Sequence, residues 1–154
     1  MMEFVYAYAY FVLYAFLGWV CEDLYCGIPA KKFINRGFFY GPYCPIYGVG
    51  ALLVLYPLLF VKDYPILVFI LGVIITSTLE YITSWVMEIL FKTRWWDYSE
   101  RFMNINGRVC LLNSTLFGIM SIVVVYIIHP VIQDIVLDIP LTALMSFLSA
   151  FTIG

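Results

Sequence analysis

The stretch "ILVFILGVIITSTLEYITSWVMEILF", Ile66 to Phe91, decides the fold. It is long enough to cross a bilayer, which takes about 20 mostly apolar residues. It nevertheless carries two carboxylates. Thr76, Glu80, Ser84 and Glu88 recur every four residues, with Ser77 and Thr83 beside them. Ile75, Leu79, Ile82, Val86 and Leu90 fall on the other side. Residues four apart share a helix face. The pattern predicts a helix with a polar stripe turned inward and an apolar face turned to lipid. A charge near the bilayer centre costs at least ~2.5 kcal/mol. Glu88 lies near the end of the span, where water reaches it. Glu80 lies about 12 Å deeper at 1.5 Å per residue. It must be paired, protonated or lining a wet cavity.

The rest of the chain agrees with this reading. Of its 154 residues, 64% are hydrophobic and 12% are charged. Soluble domains are near half apolar and a quarter charged, so this chain is an integral membrane protein. The net charge of −2 argues against nucleic acid. The opening "MMEFVYAYAYFVLYAFLGWV" has an acidic rather than basic start and no early break. It reads as a retained span and not a cleaved signal peptide.

Five spans are expected, at about 4–20, 45–61, 66–91, 110–128 and 136–154, in one domain covering 1–154. Alternating strand periodicity is absent. The expected fold class is an all-α integral membrane bundle of about five helices. Lys31, Lys32 and Arg36 follow the first span, and Lys92, Arg94, Arg101 and Arg108 follow the third. Only Lys62 follows the second, and no Lys or Arg follows the fourth. Basic loops stay inside, so the N-terminus is expected outside the cell and loops 21–44 and 92–109 in the cytoplasm. The sequence stops at Gly154 without a flanking charge, as expected of a shortened chain or of one helix of a larger bundle.

Cys21, Cys26, Cys44 and Cys110 all fall on the expected cytoplasmic side, which is reducing. They form no Cys-x-x-Cys pair, so neither a metal nor another cofactor is expected. Small or hydroxyl residues line one face of the fourth span, Cys110, Ser114, Gly118 and Ser121. The first span has Ala7, Phe11, Ala15, Gly18 and Glu22 in similar register. Such faces let helices approach closely in lipid.

Both long loops are expected to fold. "KKFINRGFFYGPYCPIYGVG", Lys31 to Gly50, holds Gly37, Gly41, Gly48, Pro42 and Pro45, which break regular helix. "TRWWDYSERFMNINGRVC", Thr93 to Cys110, holds Trp95 and Trp96, which fit an interfacial aromatic belt. The belt does not account for Asp97, Asn104, Asn106 or Arg108. Two readings of these residues stand. In one, the loop amides and Arg36, Arg94 and Arg108 receive an anionic group at a helix N-terminus. In the other, Asp97, Glu22 and Glu88 form an ionic lattice with those arginines. In either, the loop is a folded polar cap that packs on the first loop.

These motifs carry a resemblance. "NRGFFYGPYCPIYG", "EYITSWVMEILF", "RWWDYS" and "NINGRVCL" resemble the bacterial membrane family of type IV ABC-transporter permeases, also called CmpB-like. The similarity covers about Gly18 to Pro130. It implies a multipass, permease-like protein of the bacterial cell membrane. Its signature positions here are Asn35, Arg36, Gly37, Gly41, Pro42, Cys44, Pro45, Glu80, Glu88, Trp95, Trp96, Asp97, Asn104, Asn106, Gly107 and Arg108.

Three functions compete. The first is a transport component whose polar site draws on Glu22, Asn35, Arg36, Glu80, Ser84, Glu88, Trp95, Trp96, Asp97, Asn104, Asn106 and Arg108. The chain has no Gly-x-x-x-x-Gly-Lys-[Ser/Thr] motif, so its ATPase is expected to be a separate subunit. Five spans are few for a pathway, so a homo-oligomer in the bilayer is expected. The second is a membrane enzyme on a lipid or prenyl-type anionic substrate, with carboxylates as acid and base and arginines as clamps. The third is a structural or regulatory membrane partner.

Overall fold

The computed structural model describes the backbone of residues 2–30 and 44–153, with side chains at 3–21, 44–45, 47–146 and 149–150. Asn35, Arg36 and most of the first loop therefore lie outside the described residues, as does the Glu22 side chain. So does the expected packing of one loop on the other. The described chain is helical, and its one β-type pairing is an isolated bridge between Ile105 and Val109. In order the helices are α1 (Met2–Ala30), α2 (Pro45–Leu59), α3 (Pro65–Phe91), α4 (Leu111–Val123), a π-helical turn (Val124–Ile128), α5 (His129–Asp138) and α6 (Leu141–Ile153). Glu3–Cys21, Pro65–Phe91 and Leu111–Asp138 are each long and apolar enough to cross a membrane. Tyr47–Leu59 is apolar but shorter.

The largest difference from the sequence expectation is at residues 129–138. The segment "HPVIQD" reads as a connector, yet the helix runs on from Leu111 to Asp138. Pro130 offers no N–H to the carbonyl four residues back. The wider π turn just before it is a recognised way for a helix to absorb such a gap. The break comes instead at Ile139–Pro140.

The chain forms two units. In the first, residues 1–53 and 129–154, α1 packs against α5 and α6. Ala9, Val12, Ala15, Ile132, Val136 and Leu144 are buried there. Tyr14 Oη lies 3.2 Å from His129 Nδ1, and the Tyr10 ring meets the imidazole edge-on. Both polar groups of this buried pair thus find a partner in low dielectric. The Cys44 N–H donates to the Ala15 carbonyl at 3.0 Å, which anchors the start of α2 on α1.

In the second unit, residues 54–128, α3 and α4 form the main helix pair. Ser114, Gly118 and Ser121 are buried, as the small-residue face of α4 requires. Gly72 is the matching position on α3: a Cβ there would lie 2.6 Å from both Cβ and Oγ of Ser121. Ser77 Oγ donates to Ser114 Oγ at 2.7 Å one to two turns further along. Close approach plus an interhelical hydroxyl bond is how helices associate in lipid. On the outward side Ile82, Val86 and Leu90 are exposed, as a lipid face should be.

Candidate functional site

The polar stripe of α3 meets the loop between α3 and α4. Pro65–Phe91 has 27 residues, or about 40 Å at 1.5 Å per residue, against about 30 Å of hydrocarbon. Ser77 bonds Ser114 near the start of α4 while Glu88, three turns on, bonds Arg108, so the last turns of α3 run past the start of α4 and the loop folds back along them. Lys92 closes the helix in the left-handed region at φ 53°.

The loop holds itself together by local bonds. Asn106 and Gly107 have φ of 54° and 68°, and the Arg108 N–H donates to the Ile105 carbonyl at 3.0 Å. This is the Asn-Gly turn of a tight hairpin. Asn104 Oδ1 accepts from the Gly107 N–H at 3.0 Å, while its Nδ2 donates to the Ser99 and Arg101 carbonyls. The Tyr98 N–H donates to the Gly107 carbonyl at 2.7 Å. Asp97 Oδ1 accepts from the Ser99 N–H at 2.9 Å and from its hydroxyl at 2.5 Å. Those two bonds, led by the hydroxyl and aided by the Arg94 charge, hold the Asp97 carboxyl below the usual carboxylate range. A Cβ on Gly107 would lie 2.5 Å from Asp97 Oδ1 and Ser99 Oγ, in a backbone region costly for L-residues. We expect Gly107→Ala to destabilise the protein by at least about 1–2 kcal/mol. It should also expose the loop to protease, as limited proteolysis beside thermal unfolding would show.

Three sets of bonds then clip the loop to α3. Farthest along, Glu88 Oε2 accepts from Arg108 Nη2 at 2.5 Å, and Glu88 Oε1 from Arg94 Nε at 3.3 Å. Arg108 Nη1 also reaches Ser84 Oγ at 3.3 Å, and the guanidinium carbon sits 5.7 Å from the Tyr81 ring centroid. Next, Asn106 Nδ2 donates to Tyr81 Oη at 2.9 Å. Deepest, Tyr98 Oη donates to Glu80 Oε1 at 3.2 Å, and Asn113 Nδ2 donates to Tyr98 Oη at 2.6 Å. Trp96 Nε1 donates to the Arg108 carbonyl at 3.0 Å and closes the cap.

The structure thus brings together Glu80, Ser84, Glu88, Trp96, Asp97, Asn104, Asn106 and Arg108. Trp95 stays outside the polar network, exposed and beside Phe91. Arg94 lies 3.7 Å from Asp97 as well as bonding Glu88. Arg94 and Arg108 are therefore both engaged by carboxylates, which favours the ionic lattice over an anion clamp for these two arginines. Tyr98, Asn113 and Tyr81 are site residues that sequence reasoning passes over. Asn113, an amide inside an apolar span, is the one that carried a signal.

Burial, with the Glu80 charge and hydrogen bond behind it, pushes the Tyr98 phenol up to about 12. The folded chain then holds that proton more tightly than the unfolded chain, where a phenol titrates near ~10. The contribution of Tyr98 is complete below the unfolded value and is lost as pH rises through the folded one. We expect a stability loss across that alkaline window, seen by thermal unfolding at stepped pH, that is smaller in Tyr98→Phe.

Glu80 has one oxygen unaccounted for. Oε2 is buried without a hydrogen-bond partner among the described residues. Buried polar atoms are nearly always paired, and the Asn113 amide stands by this carboxyl as a further donor. No curated protein and no solved structure matches the chain. A family model described as ABC-transporter type IV, the CmpB group, matches residues 9–154. That match takes in α2 to α6, most of α1 and the whole loop, and by it the chain belongs to the ABC-transporter type IV family.

Proposed function

We propose that the chain is the membrane-spanning, permease-like component of an ATP-driven transporter, working in a homo-oligomer with a separate ATPase subunit. Family membership sets the class. The observation that carries the reading to a site is the buried, unpartnered Oε2 of Glu80. Beside it stand a phenol and an amide, Tyr98 and Asn113, which can reorient around an incoming donor. Intramembrane carboxylates of this kind mark substrate or ion pathways by default. The seven-to-one division of Lys and Arg between alternate loops supports an outside N-terminus, with this site toward the cytoplasm.

The test is the complex in nanodiscs. An ATP-hydrolysing chain should co-elute with the tagged protein. Glu80→Gln, which keeps the shape and removes the charge, should leave assembly intact. It should lower the ATPase rate by roughly tenfold, a loss of about 1.4 kcal/mol, within the range typical of coupling between sites. An unchanged rate in an intact complex removes Glu80 from the mechanism. Failure to find any ATP-hydrolysing partner removes the transporter reading.

A further inference from the structure

The loop that caps α3 has an apolar apex. Phe102, Met103 and Ile105 are exposed at 77%, 64% and 59%, and Trp95, earlier in the same loop, is exposed as well. Met103 holds φ 48°, a left-handed conformation rare for a side chain of this kind. The backbone therefore takes an unfavourable turn at the position where an apolar side chain faces outward. Nothing in the ionic lattice uses Phe102, Met103 or Ile105.

The place of this apex follows from the clips described above. Tyr98, Asn106 and Arg108 bond α3 at Glu80, Tyr81, Ser84 and Glu88. The loop thus lies alongside the last three turns of the helix and not beyond its end. The excess of about 10 Å of this helix over a hydrocarbon layer of about 30 Å is under two turns, so the end of the helix around Glu88 lies at the boundary while the Tyr98 contact with Glu80 lies deeper. The lipid-facing surface of α3 also continues into the loop. Phe91, exposed at the end of the helix, has its ring 5.9 Å from that of Trp95. Charge agrees as well. Arg94 and Arg108 are neutralised by Glu88 and Asp97. Arg101 directly precedes the apex and Lys92 ends α3; neither enters an ion pair among the described residues, and neither does Glu100 beside Arg101.

We propose that the apex Phe102–Ile105, with Trp95, is seated in the headgroup–acyl boundary of the bilayer, with Lys92 and Arg101 at the phosphate level. Aromatic and apolar side chains with basic flanks are what this boundary selects. The loop is then a lipid-anchored wedge, and the bilayer itself helps to hold the cap closed over Glu80. This placement does not depend on the transport reading.

The test is photocrosslinking in nanodiscs of phosphatidylethanolamine and phosphatidylglycerol. Phe102→p-benzoylphenylalanine and Ile105→p-benzoylphenylalanine change exposed side chains and should fold. Ile89→p-benzoylphenylalanine, on the outward side of α3, is the lipid-contact reference. Illumination should add the mass of one phospholipid to the peptide carrying residue 102 or 105, at a yield within a few-fold of the reference. A protein adduct at both loop positions, whether to a second copy or to another chain, overturns the proposal. So does the absence of any lipid adduct there while Ile89→p-benzoylphenylalanine gives one.

Discussion

Arg108→Ala is expected to destabilise the protein by about 2–3 kcal/mol, the scale of charged hydrogen bonds lost from a buried donor. Arg108 is 9% exposed, and its guanidinium serves Glu88, Ser84 and the face of Tyr81 together. Truncation removes one Glu88 partner and leaves Ser84 Oγ without its donor. Arg108→Lys should recover less than half of the loss, because one ammonium point charge cannot reproduce the two-pronged planar fork. Arg101→Ala, at an exposed side chain of the same loop, should stay within about 0.5 kcal/mol of wild type. Thermal unfolding in one detergent reads all three. A wild-type melting temperature for Arg108→Ala means that the lattice does not hold the loop.

The helix pair beneath the site gives the second large effect. Gly72→Ala places a methyl 2.6 Å from Cβ and Oγ of Ser121, so α3 and α4 must separate or shift. Overpacking of this kind costs about 1–3 kcal/mol. The next nearest atom, Cα of Gly118, is 3.8 Å away, an ordinary contact. Ser121→Gly should therefore relieve most of the strain in the double variant. Alone, it should cost about 0.5–1 kcal/mol for a glycine within a helix. A double variant less stable than the two single losses combined would show that these positions do not face each other.

Much of this arrangement can be read in the residues. The four-residue repeat of Thr76, Glu80, Ser84 and Glu88 states which side of α3 is polar, and Ser84 is buried while Ile82 and Val86 are exposed. "NING" states a turn, and Asn106 and Gly107 make it. The ionic lattice of Glu88 with Arg94 and Arg108 is one of the two readings that the residues leave open, and the structure shows these pairs. What resisted reading has a physical cause in each case. Five spans are expected from hydropathy, but residues 111–138 form one long helix, because a π turn lets the backbone pass Pro130. Hydropathy sees the polar dip at His129 to Asp134 and not the local backbone that absorbs it. Tyr98 and Asn113 are separated from Glu80 in sequence and meet it only when the loop folds back. A tyrosine beside two tryptophans reads as one more belt residue until that fold-back is known.

The 95–110 loop is a folded cap secured to α3 at Glu80. Amide hydrogen exchange in nanodiscs reads this cap residue by residue. The N–H groups of Tyr98, Arg101, Ile105 and Arg108 are all hydrogen-bonded within the loop. Their peptides should exchange orders of magnitude more slowly than an unstructured chain. Glu80→Ala, which removes the acceptor of the Tyr98 hydroxyl, should speed exchange around Tyr98 while the helical amides of α4 remain protected. Exchange of the wild-type loop at the unstructured rate would mean that no folded cap is present.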